Sequence, residues 1–249
     1  EKHKDLKINL QHDFGYAKEA HIAAASIREY AQLASVMPVV FVKDPNSENF
    51  HSVAVLGTEK GANLFVHEGK WQVHCLPMNI QRYPFDVRPD GEKLGVFFDE
   101  NSSLVTDDGE PVFTAEGQPS PFLENRQQLL SELANSEMAT QRFIKKLVEL
   151  DLLDPIELLV NYTNGEKRNI TGMFSVSEKR LQDLDEAQVV ELHKSGFLGA
   201  AYAILMSLGQ LNRLVQLSNN TDKPIQNLQL RVGDAITKDQ TAEQPAANA

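Results

Sequence analysis

Histidine is the first side chain to test for chemistry in this 249-residue chain, because seven are present and imidazole is the commonest protein ligand for metals. If Glu68-Gly69 forms a two-residue turn, His67 faces Lys70, Val66 faces Trp71 and Leu64 faces Val73. His67 and His74 then share a face but stand about 13 Å apart at the rise of a strand. Zinc ligands must converge within about 2 Å of one ion, so these two cannot share one, and His51 could approach only one of them. The single cysteine, Cys75, precludes a Cys-x-x-Cys pair. No metal and no other cofactor is expected.

Other reactive arrangements also fall short. Gly57-Thr58-Glu59-Lys60-Gly61 matches neither the phosphate-loop nor the dinucleotide fingerprint, and no helix start follows it, so it reads as a tight loop between strands. Ser207 lies inside an apolar helical stretch and is expected to bond back to a helical carbonyl. Asp99-Glu100 offers adjacent carboxylates, but successive strand residues point to opposite faces, which favours a turn or cap over an acid/base pair. Gln81-Arg82-Tyr83-Pro84-Phe85 is different: it sets a guanidinium and two aromatic rings beside a proline that cannot donate to a sheet. Such a cluster could bind a ligand by stacking and bidentate contacts, and Arg82, Tyr83 and Phe85 are the candidate ligand-binding residues. The competing reading is a strand exit whose rings plug the core. No catalytic residues emerge.

The elements that would hold these residues are legible from pattern. Pro38 to Lys43, Phe50 to Leu56, Asn63 to Val66, Trp71 to Leu76 and Lys93 to Phe98 are short β-type runs separated by turn residues, an antiparallel signature. In the Glu68-Gly69 hairpin, Leu64, Val66, Trp71, Val73 and Cys75 form the dry side, which makes Trp71 and Cys75 core residues. Ala17 to Met37 is alanine-rich and stops before Pro38, so it reads as a helix.

The second half reads as mostly helical. Ile156 to Val176 is a second hairpin, whose three-residue loop with left-handed Gly165 puts Leu158, Val160 and Tyr162 on one face with Ile170 and Phe174. Phe122 to Leu150 is one long helix, or two with a break near Asn135-Ser136. Three helices follow: one after Ser177, one over Asp185 to Lys194, and one over Phe197 to Leu217 whose apolar start places it at the centre of the core. The expected class is α+β: an antiparallel β-rich part at about 38–115 packed against a mostly helical part at about 121–218 that contains one further hairpin. One domain is expected over 1–220. Residues 221–249 are expected to form a polar, largely disordered tail, with a short strand allowed at Leu228 to Val232.

Composition bounds the function. With 41% hydrophobic and 24% charged residues the chain resembles ordinary globular proteins. Its net charge of −11 repels phosphate backbones and anionic lipid, so nucleic acid is not an expected partner. The longest apolar run, Phe197 to Met206, is short of the roughly 20 residues that span a bilayer, so membrane insertion is not expected either. One cysteine and no leader pattern over Glu1 to Leu10 point to the cytoplasm, with the cell surface as the alternative. The oligomeric state stays open.

A set of ordered pieces carries a resemblance: Pro38-Val39-Val40-Phe41-Val42-Lys43, Leu56-Gly57, Asn63-Leu64-Phe65-Val66 with Trp71, Arg82-Tyr83-Pro84-Phe85, Phe113 before Gly117, Thr140 to Phe143, Leu152-Leu153, and Ser207-Leu208. In this order and spacing the chain resembles the SapC family of bacteria over roughly Leu6 to Asn220. The resemblance implies a bacterial protein of about this length, from a family named for association with surface layers. It also implies genetic neighbourhoods holding TonB-dependent receptors, flavin halogenase-like and cupin-like proteins, and hence nutrient uptake or substrate modification. It carries over no catalytic residues. The leading expectation is a non-enzymatic accessory or binding protein with a protein or small-molecule partner. A surface-layer structural protein is the alternative, and an uncharacterised enzyme comes third.

Overall fold

The computed structural model describes residues 3–10, 13–47, 49–90 and 93–233. The protein is α+β. Its centre is a six-stranded antiparallel sheet drawn from both ends of the chain. In chain order, a short ribbon strand β1 (Lys7–Ile8) precedes β2 (Ile22–Ala24), helix α1 (Tyr30–Leu33), β3 (Val39–Lys43) and β4 (Phe50–Val55). A two-residue hairpin, β5 (Val66–His67) and β6 (Lys70–Trp71), leads through helix α2 (Met78–Gln81) to the ribbon β7 (Phe85–Asp90) and β8 (Lys93–Phe98). Then come β9 (Glu110–Pro111), which pairs with β1, and the long helix α3 (Pro121–Glu149). The hairpin β10 (Leu153–Tyr162) and β11 (Lys167–Val176) precedes helices α4 (Glu178–Gln182), α5 (Glu186–Lys194), α6 (Phe197–Ser207) and α7 (Leu211–Ser218), and β12 (Ile225–Val232) ends the described chain. The large sheet has the order β12-β10-β11-β3-β4-β2.

Several expectations are met by this arrangement. Val66 pairs with Trp71 and His67 with Lys70 around Glu68-Gly69, both of which take the positive φ that such a turn requires. Gly165 sits at φ 87° in a three-residue loop. Gly57 opens a tight loop, since a Cβ there would lie 1.9 Å from the Ala62 carbonyl oxygen. Ser207 Oγ donates to Ile204 O at 2.6 Å, and it also accepts the Val39 N–H at 2.9 Å, which fastens α6 to the start of β3.

Other elements depart from expectation for identifiable reasons. Ala17 to Met37 is not one helix: Ile22, Ala23 and Ala24 pair with Val55, Ala54 and Val53, and only Tyr30–Leu33 is α-helical. Sheet hydrogen bonds and the burial of Ala23 and Ala25 override a modest alanine propensity. The Glu68-Gly69 hairpin stops at Val66 and Trp71, so Leu64 does not pair with Val73. Asn63 takes the Phe65 N–H on its side chain and Trp71 Nε1 donates to Cys75 O, turning both arms out of the ladder. Trp71 and Cys75 pack against the core half-buried, while Phe65 is fully buried. Phe174 leaves the Leu158 face because a bulge at Gly172, φ 80°, shifts the register, and Met173 takes its place opposite Ile156.

The helical half also differs in detail. Helix α3 runs unbroken through Asn135-Ser136, where Ser136 and Thr140 return their hydroxyls to carbonyls four residues back. Helix α6 is not central: Ala200, Ala201 and Ile204 face inward but Met206 is 74% exposed. The segment after residue 220 is not wholly tail, since β12 spans Ile225–Val232 and pairs with β10 from Ile156 to Tyr162. The polar stretch from Thr237 onward lies outside the described residues.

Candidate functional site

Two apolar clusters meet beside the aromatic corner. The main core lies between the sheet and helices α3, α6 and α7, and a smaller one gathers Ile8, Phe85, Leu104, Val112, Leu123 and Leu130. Tyr16 packs against both. It reaches the seam because the helical turn Phe14–Ala17, capped by Asp13, carries it there, and it stacks on Tyr83 with ring centroids 4.4 Å apart and planes 19° from parallel. The Tyr83-Pro84 peptide is cis.

The three residues singled out by sequence meet at one open cleft beside this seam, at different depths. Arg82, Tyr83 and Phe85 all line this cleft of about 510 Å³, and the Tyr83 hydroxyl donates to Asp99 Oδ2 at 2.9 Å. Phe85 is 4% exposed and belongs to the smaller core, where it meets Phe98 and Phe122. Arg82 is held by Asp86, whose other oxygen takes Arg88 Nε at 2.8 Å. Burial pushes the Asp86 carboxyl up, but the Arg88 hydrogen bond and the Arg82 charge outweigh it and leave Asp86 below the usual carboxylate range. One nitrogen of the Arg82 guanidinium, Nη1, is therefore paired.

A second arginine, which no local sequence signal marked, is in the opposite condition. Arg126 projects from α3 behind the tyrosine pair and, with Tyr16, Tyr83 and Gln81, lines a pocket of about 170 Å³. Its Nε is buried without a hydrogen-bond partner, Nη1 reaches Gln81 O only at 3.5 Å, and its plane lies over the Phe122 ring. Among the described residues no carboxylate lies within ion-pair distance of it. Asp13 lines the same pocket but points Oδ1 at the Gly15 N–H. Burial lowers the Arg126 pKa, with Tyr16 opposing, and burial pushes Tyr16 up to about 12, helped by Tyr83 and opposed by Arg126. A half-buried guanidinium with no counter-ion among the described residues, beside two stacked phenols, can accept a carboxylate in the plane of its fork.

The remaining candidates do not converge. Asp99 caps its own turn by accepting the Asn101 N–H, and Glu100 turns away to His3. Burial, and then the charge of Glu29, raise the Cys75 thiol pKa, which disfavours the reactive thiolate. Among the described residues no three His, Cys, Asp or Glu side chains are grouped to hold a metal ion, and no helix is long and apolar enough to cross a membrane.

A family model described as SapC matches residues 1–214. No curated protein and no solved structure matches the chain.

Proposed function

The chain belongs to the SapC family, and from that premise we propose that it is a non-enzymatic accessory protein that captures a small carboxylate in the pocket beside Tyr16, Tyr83 and Arg126. The observation that carries this reading is the half-buried Arg126, which has no counter-ion among the described residues. Burying an unpaired charge costs stability, and a bound carboxylate would supply the missing partner. The stacked phenols add a flat apolar wall, which favours a planar acid over a compact one. A ligand of nutrient uptake or substrate modification, met in the cytoplasm, completes this reading. Recovery of the native protein with the envelope in cell fractionation would instead favour the surface-layer role.

Titration calorimetry with benzoate, acetate and inorganic phosphate tests the site. Benzoate is expected to bind most tightly, and Arg126→Met is expected to abolish its heat without lowering Tm. Failure of all three anions to bind the wild type would sink the proposal. So would an Arg126→Met variant that loses several degrees of Tm, because the arginine would then be a structural contact.

A further inference from the structure

The hairpin β10–β11 is longer than its attachment to the rest of the sheet. Strand β11 pairs with β10 as far as Lys167, but it pairs with β3 only at Met173–Val42 and Phe174–Phe41. At Gly172 the bulge swings the strand away, and from Lys167 to Gly172 the edge of β11 that faces β3 has no ladder partner among the described residues. A wedge opens there, with a cleft of about 360 Å³. Val40, Val42, Val53 and Val55 wall it on one side, and Leu158 and Ile170 on the other.

The lining itself shows that the cleft borders a backbone edge. Every residue from Arg168 to Met173 touches it, whereas a cleft under one face of a strand would meet alternate residues only. A row of unsatisfied strand N–H and C=O groups beside apolar walls is the pair of features that strand addition uses: main-chain bonds give affinity and pockets for alternate side chains give specificity. Of β2 only Ile22 touches this cleft, against six consecutive residues of β11, and β12 borders a smaller cleft of about 140 Å³ only at Ile225.

Charge narrows the occupant. Arg168 and Lys223 at this end are neutralised by Glu59 and Glu166. Lys60 on the cleft rim and Lys167 at the end of the strand are exposed, and neither forms an ion pair among the described residues, so this corner is locally cationic on a chain of net charge −11. We propose that the β11 edge is a β-augmentation site for an extended peptide of a partner protein, with alternating apolar residues that enter the cleft and acidic residues flanking them. This inference is independent of the carboxylate pocket.

Amide hydrogen exchange of the full chain tests it, using the synthetic peptide Ac-Glu-Val-Thr-Val-Thr-Val-Glu-NH2 and the same peptide N-methylated at alternate residues. The unmodified peptide is expected to slow exchange at least tenfold over residues 167–172 and the N-methylated one to leave it unchanged. Ile170→Glu, which puts a carboxylate at the apolar wall, is expected to weaken binding at least tenfold with Tm within a few degrees of wild type. If Ile170→Glu unfolds, Lys60→Glu with Lys167→Glu supplies the same readout from the rim. Three results overturn the proposal: unchanged exchange at millimolar peptide, protection on the β12 or β2 edge instead, or protection of 167–172 that grows with protein concentration alone, which would make a second copy the occupant.

Discussion

Individual side chains decide this protein's chemistry through whether their charges and hydrogen bonds are already satisfied. Asp86 is satisfied twice over, and its depressed pKa means that it stabilises the fold above its unfolded pKa and that this contribution disappears as pH falls through the lower folded value. Denaturant midpoints measured from pH 7 down to pH 2.5 are therefore expected to show a component that Asp86→Asn removes, with the two proteins converging at the acid end. Ser207 makes a different point. Its hydroxyl is wholly buried and accepts the Val39 N–H, so Ser207→Ala strands a buried donor and is expected to cost about 1–3 kcal/mol in a chemical denaturation series. Arg82 stood out in the sequence because of its aromatic neighbours. Arg126 did not, because its distinguishing property is a missing partner, and that depends on what approaches it from Phe14–Ala17 and from α2.

Among the elements, β11 shows how one backbone angle can direct a whole strand. Gly172 lies at φ 80° with no atom within 4 Å of where a Cβ would be, so Gly172→Ala meets no clash and only a backbone penalty, about 1–2 kcal/mol. The expected outcome is a loss of that size by urea denaturation, with hydrogen exchange at Met173 and Phe174 accelerated because the bulge sets the β3 junction. The extra residue could not be read from alternation, since Ile170 and Phe174 are in phase in an unbroken strand and out of phase across a bulge. Helix α3 is the opposite case. Its polar interruption at Ser136 and Thr140 weakens the periodic signal, yet both hydroxyls bond to the helix's own carbonyls and Thr140 also accepts the Ile27 N–H, so the helix has no reason to break.

For the whole molecule, the sheet is assembled from segments some two hundred residues apart, and the chain after residue 220 completes it. β12 covers β10 from Ile156 to Tyr162. Truncation after Lys223 would bare that edge along with the buried Ile225 position, and it is expected to lower Tm by at least several degrees and to give aggregates by light scattering. A truncated chain as stable and monomeric as the full one would show that β12 is dispensable.

The sequence by itself determined the α+β class, the family, and those local structures whose cause is local: the Glu68-Gly69 turn, the Gly165 loop, the close approach at Gly57 and the back-bonded Ser207. Each rests on a backbone requirement of one or two residues, which residue type reports directly. Only the tertiary structure decided that Ile22–Ala24 is a strand, that Phe174 changes face, that Phe85 forms the buried floor of the cleft that Tyr83 borders, and that Arg126 lacks a counter-ion among the described residues. Those outcomes depend on hydrogen-bond partners, or their absence, supplied by distant parts of the chain, and a one-dimensional pattern carries no record of which distant groups come within 3 Å of one another.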